Sequence, residues 1–134
     1  MSEAADKVER GEPVIRSAPM PSDMNSNGDI FGGWVLSQMD IAGGIVAARR
    51  SQGRTVTVAV DAMTFHQPIK VGDVVSIYAR VIRVGRSSMA VRMETIVVRR
   101  LDPGEIKVTE GTFTYVAIDE NGRPRPVPPE AQVS

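Results

Sequence analysis

Asp40 is the only ionisable side chain between Gly33 and Ala48, in a run that also carries Trp34, Val35, Leu36, Met39, Ile41, Ile45 and Val46. A carboxylate in such company can take a proton from water or attack an electrophilic carbonyl directly. It can equally be a structural acceptor at an interface, and the residues alone leave both readings standing. Gly32-Gly33, eight residues earlier, is the second candidate. At a helix start, paired glycines leave unpaired N–H groups open to a developing oxyanion, and they also permit tight packing. Ahead of them Asn25, Asn27, Gly28 and Asp29 form a polar loop of types that tolerate tight or left-handed backbone.

These groups need a scaffold. The run from Gly32 predicts a helix of about five turns, ending near Arg49-Arg50 with Gln52-Gly53 as the stop, since cations suit the negative end of its dipole. Its apolar residues occupy most of the circumference, so protein is expected on several sides. The period then changes. Thr55 to Phe65 alternates as a strand with Val56, Val58, Val60 and Ala62 on one face. Val74 to Val84, Met89 to Leu101 and Lys107 to Ile118 follow as strands, separated by turns at 70–73, 85–88 and 102–104. Val108, Gly111, Phe113, Tyr115 and Ala117 are assigned to one face of the last strand. Val14 to Arg16 reads as a short edge strand.

One long helix followed by strands on short turns predicts an α+β domain with antiparallel sheet against the helix; no βαβ alternation occurs. The expected division is a tail at 1–12, one domain at 13–126 and a second tail at 127–134. Sixteen basic residues balance sixteen acidic ones, so no global field recruits nucleic acid or an anionic membrane. The absence of cysteine rules out thiol chemistry and disulfides, and a single histidine makes a histidine metal cluster implausible. With no secretory-type apolar core and no long apolar run, the expectation is a soluble cytoplasmic protein.

The order Asn25-x-x-Gly28-x-x-Phe31-Gly32-Gly33, then Asp40, then the strands, resembles the hotdog-fold acyl-CoA thioesterases, most nearly the YciA-type hydrolases. The likeness runs from about Pro19 to Pro126 and includes Ser37-Gln38-Met39-Asp40, Met63-Thr64-Phe65, Val71-Gly72-Asp73 and Val84-Gly85-Arg86-Ser87-Ser88. It implies a helix wrapped by a five- to six-stranded antiparallel sheet, edge-to-edge dimers, and trimers of those dimers. It also implies that Asp40 is the catalytic carboxylate, that the Gly32 amide faces the thioester oxygen, and that Asn25 orients water or carbonyl. Gly33, Thr64, Phe65, Arg86, Ser87 and Ser88 become candidates for binding substrate. Many related thioesterases carry histidine where this chain has Phe31, which leaves more of the electrostatic work to the Gly32 amide.

The implied reaction converts acyl-CoA and water to free CoA and a carboxylic acid, with no metal or other cofactor. Asp40 lies ~12 Å along the helix from Gly32, too far to serve the same atom, so the resemblance places the site across a dimer. An ionised Asp40 beside apolar residues calls for a compensating hydrogen bond, with Gln38, Ser37 or Asn25 as candidates. The competing reading is a non-catalytic acyl-CoA or acyl-carrier binding protein. A hydratase is disfavoured by Phe31, since that chemistry uses histidine near the helix start. For Asn27 and Asp29 turn formation outweighs chemistry. His66 reads as a surface or interface residue, and Arg86 with its serines fits a solvated hairpin tip as well as a nucleotide contact.

Overall fold

In the computed structural model, which describes residues 10–130, a single long helix, α1 (Gly32–Ser51), lies against a five-stranded antiparallel sheet. The strands are β1 (Ile15–Ser17), β2 (Thr55–Phe65), β3 (Val74–Val84), β4 (Ser88–Val98) and β5 (Glu105–Ala117), in the order β1-β3-β4-β5-β2. β1 is the expected short edge strand, paired through Ile15 and Ile77. β2 is the opposite edge. The limits of β2 and β3 match the alternation of the sequence.

α1 closes as its residues require. Arg49 and Arg50 sit in the last turn, and Gln52 turns left-handed at φ 58° with its N–H returning to the Ala48 carbonyl. Within the chain only one stripe of α1 is buried, formed by Val35, Met39, Ala42, Gly43 and Ala47. The expectation of protein on several sides is therefore not met by one chain: Ile41 is 51% exposed. The stripe packs on Met93, Val91, Phe113 and Tyr115 from the inner face of the sheet.

Four register shifts interrupt the ladders, and two of them bear on the residues expected to face inward. In β2 the register slips between Thr57 and Ala59, so Thr57 lies opposite Tyr115 while Val60 lies opposite Phe113. Val56, Val58 and Val60 consequently do not share one face, because the extra residue reverses the alternation. In β5 the pairing steps from Thr95–Thr109 to Ile96–Lys107. Val108 and Thr109 are both fully buried there, which admits Val108 to the inward set despite its even position. β4 stops at Val98 and not at Leu101, because Asp102 closes a turn onto the Arg99 carbonyl and Leu101 is left 95% exposed.

The ends of the described chain are tied down. Arg10 pairs with Glu94 and Glu105 and stacks over Tyr78 at 5.2 Å. The rest of the predicted first tail, residues 1–9, and residues 131–134 of the second lie outside the described part. Past residue 126, Val127 donates to the Arg86 carbonyl and packs on the core, and Arg50 holds the Pro128 carbonyl. Arg125 donates to the carbonyls of Ser51 and Ile118, fastening this segment to the end of α1.

Candidate active site

The N-terminus of α1 opens on a cavity of about 360 Å³ bounded by Asn25, Gly32 and Phe65, with Ile30, Val35 and Ile69 as its buried wall. The N-cap residue is Phe31, which has no side-chain acceptor, so no cap bond is made. A phenylalanine cap is poor for an ordinary helix; the Trp34 and Val35 N–H groups donate to the Phe31 carbonyl, and those of Gly32 and Gly33 are left for another acceptor. A Cβ on Gly33 would meet nothing within 4 Å, and one on Gly32 would only touch the Phe65 ring at 3.6 Å. A ligand can therefore approach this backbone closely.

The loop before α1 is built on Asn25. Its Oδ1 accepts from the backbone N–H of Asn27 and of Asp29, at 2.9 and 3.1 Å, and its own N–H reaches the Asp29 carbonyl. The Asn25 oxygen thus closes the turn that Asn27 and Asp29 form, and its Nδ2 amide has no partner among the described residues. Gly28 takes φ +81°, the backbone such a tight loop requires. An Asp29–Lys70 ion pair and the Ile30 N–H to Ile69 carbonyl bond dock the loop on the turn before β3.

Asp40 lies two turns along α1 and does not line this cavity. Its Oδ1 accepts from the Thr57 hydroxyl at 2.6 Å and the Tyr115 hydroxyl at 3.0 Å. The expected partners are not the ones used: Gln38 accepts from Ser17, and neither Ser37 nor Asn25 reaches the carboxylate. Position on the helix explains this, since Asp40 faces the sheet's β2–β5 edge while residue 38 points toward β1. The Tyr115 hydroxyl also contacts the Asp40 carbonyl at 3.1 Å. Burial, and then the charge of Asp40 and its hydrogen bond, push the Tyr115 phenol far above its ordinary value, so it stays a donor. The Asp40 carboxylate itself is exposed in the single chain.

Residues 27–102 match the thioesterase superfamily. The chain belongs to that family. It is 48% identical to the acyl-CoA thioester hydrolase YciA of Salmonella typhimurium, over 92% of this chain and 95% of that protein. Among solved structures it superposes on HI0827, a hexameric broad specificity acyl-coenzyme A thioesterase, with TM-score 0.82 and 48% identity over 90% of this chain and 83% of that one. Cj0915 of Campylobacter jejuni, a hexameric hotdog fold thioesterase, gives TM-score 0.84 and 39% identity over 90% and 92%. The helix-and-sheet arrangement is the hotdog fold.

The remaining candidates of this thioesterase divide between two ends of the sheet. Phe65 and Gly33 stand with Gly32 at the start of α1, while Thr64 is exposed nearby and its carbonyl accepts from the Thr109 hydroxyl at 2.5 Å. Arg86, Ser87 and Ser88 lie at the other end, where Ser88 pairs with Val116 and the Ser87 carbonyl accepts from Ala117. One chain does not bring them to the Gly32 cavity. His66 borders the cavity and bonds Glu110 at 3.1 Å. Sequence reasoning missed Thr57 and Tyr115. The one available signal was a hydroxyl at the tip of Tyr115 in an otherwise apolar inward row.

No helix among the described residues is long and apolar enough to cross a membrane, and no group of three or more metal-ligating side chains occurs among them.

Proposed function

We propose that the protein hydrolyses acyl-CoA thioesters to free CoA and a carboxylic acid, in a homodimeric unit and without a metal or other cofactor. The observation that carries this reading is the pairing of an uncapped, glycine-lined helix start with a carboxylate held by two hydroxyl donors on the same helix. Similarity to named acyl-CoA thioester hydrolases supports the substrate class.

The Gly32 N–H meets the thioester oxygen as it becomes negative, a contact worth roughly 3 to 4 kcal/mol in the transition state. The Asn25 amide donates from the loop beside it. Asp40, with Oδ1 held by Thr57 and Tyr115, uses Oδ2 either to take a proton from the attacking water or to attack the carbonyl carbon itself. In both routes the thiolate leaves as CoA; in the second, water then hydrolyses the acyl–Asp40 anhydride, which releases the carboxylic acid and restores the carboxylate.

Asp40 and Gly32 of one chain sit too far apart to share a carbonyl, so a partner's helix supplies the missing half. β2 is an edge strand with Val56, Val58 and Val60 between 42% and 56% exposed, and Phe31 at the N-cap and Ile41 on α1 lie open. An edge of this kind invites pairing with a second copy. HI0827 and Cj0915 are hexameric; a hexamer of this chain built as a trimer of such dimers would bring Arg86, Ser87 and Ser88 of a neighbouring chain to the CoA moiety.

Thiol release from a panel of acyl-CoAs, for the native protein and for Asp40→Asn, tests the reading. Loss of hydrolysis in the variant is expected. Undiminished hydrolysis would remove Asp40 from the mechanism, and stoichiometric binding without thiol release by the native protein would make it a binding protein instead.

A further inference from the structure

We propose that Tyr115 is a positioning residue for the reaction, which together with Thr57 fixes one oxygen of the Asp40 carboxylate and so aims the other. The inference rests on the function proposed above.

Tyr115 and Thr57 are direct cross-strand partners in β5 and β2. Their hydroxyls arrive side by side and converge on one oxygen, Oδ1 of Asp40, while Oδ2 has no partner among the described residues. A carboxylate fixed through one oxygen by two donors from a rigid sheet cannot rotate freely about its χ angles, so Oδ2 keeps one direction.

The seat is built for that hydroxyl. Gly43 lies one turn after Asp40 on the buried stripe, and a Cβ there would overlap the Tyr115 oxygen. Only glycine lets the phenol enter the helix surface far enough to reach both the carboxylate and the backbone carbonyl of Asp40. The ring below is fully buried against Met93 and the core. Packing needs no hydroxyl at that point, and phenylalanine would fill the same volume.

Among the described groups that face the carboxylate, β5 contributes the phenol of Tyr115 and β2 the neutral hydroxyl of Thr57. The phenol remains protonated because burial and the neighbouring carboxylate oppose its ionisation. It is therefore a permanent donor, and a donor to the charged form of a carboxylate favours that form.

The test is steady-state hydrolysis of one acyl-CoA between pH 4 and 9 by the native assembly, Tyr115→Phe and Asp40→Asn. We expect Tyr115→Phe to lower kcat about tenfold, leave KM within about twofold, and move the acid-side midpoint of kcat/KM upward, as loss of one charge-assisted bond implies. A residue that only packs would lower the melting temperature and leave that midpoint in place. Should the phenylalanine variant not assemble, 3-fluorotyrosine in a Tyr78→Phe background keeps the ring and strengthens the donor, since the chain has two tyrosines. That protein should show the midpoint moved down. An unmoved midpoint in either protein overturns the inference. If Asp40→Asn hydrolyses normally the parent reading fails, whereas an inactive Asp40→Asn with an unmoved Tyr115 midpoint removes only the present one.

Discussion

Gly43 lies directly beneath the hydroxyl of Tyr115, close enough that a Cβ on the glycine would overlap the phenol oxygen and press the terminal methyl of Met93 at 2.9 Å. Two opposing terms follow for Gly43→Ala. Helix propensity favours alanine by about 1 kcal/mol. Overpacking a buried site costs about 1 to 3 kcal/mol, and here the group displaced is the donor to Asp40. The expected net effect is a loss of about 1 kcal/mol in urea unfolding with a fall of about tenfold in kcat. A stabilised variant with full activity would show that Tyr115 does not need this gap.

What the sequence made legible and what it hid divide along physical lines. The limits of α1, β2 and β3 follow from local signals: a change of hydrophobic period, Arg49-Arg50 before Gln52, and prolines and glycines at the turns. Local signals cannot report that a bulge at Val58 turns Thr57 inward, because the bulge is fixed by pairing with β5 some 60 residues away. The partners of Asp40 come from 17 and 75 positions along the chain, a separation that only the sheet order closes. Asp40, Gly32 and Asn25 stood out in sequence because their residue types are unusual where they occur. Thr57 and Tyr115 are ordinary strand residues and carried no such mark.

The exposed edge of β2 sets a second expectation. Val58 is 56% exposed and sits at the bulge, the fourth residue of β2. In a symmetric edge-to-edge dimer an aspartate at this position adds an unpaired charge from each chain to the seam, and burying unpaired charges is strongly unfavourable. Val58→Asp should therefore sediment as a smaller species and lose nearly all hydrolytic activity, with the protomer fold retained by circular dichroism. Full activity from a dissociated chain would exclude a site shared between subunits.

The acid limit of stability should trace partly to Glu110. Burial raises its carboxyl pKa, but the His66 hydrogen bond and the charges of Lys107 and Arg92 together outweigh this, so the net displacement is downward. A carboxylate depressed in the folded state stabilises the protein above its unfolded value and loses that contribution as pH falls through the lower folded value. Glu110→Gln is expected to be less stable than the native protein at pH 7 by up to about 1 kcal/mol, the scale of partly exposed ion pairs. Melting curves of the two proteins should converge below about pH 4, the ordinary carboxylate range. A constant gap from pH 3 to 7 would assign the effect to packing.

The oxyanion role of Gly32 can be separated from its role in the helix by one substitution. Gly32 is the first residue of α1, the position at which proline is best tolerated because its N–H lacks an intrahelical partner. The preceding residue must be extended for proline to follow, and Phe31 already is, at φ −55° and ψ 136°. A Cβ at this site meets only the Phe65 ring at ordinary contact distance. Gly32→Pro should thus fold and assemble with little change in stability while lacking the one donor assigned to the thioester oxygen. Removal of such a donor typically costs 10²- to 10³-fold, so kcat should fall by about that factor. KM should change far less, since the oxygen is strongly negative only in the transition state. A folded Gly32→Pro protein with native kcat would transfer the oxyanion contact elsewhere, with the Gly33 N–H and the Asn25 amide the nearest remaining donors on the cavity side.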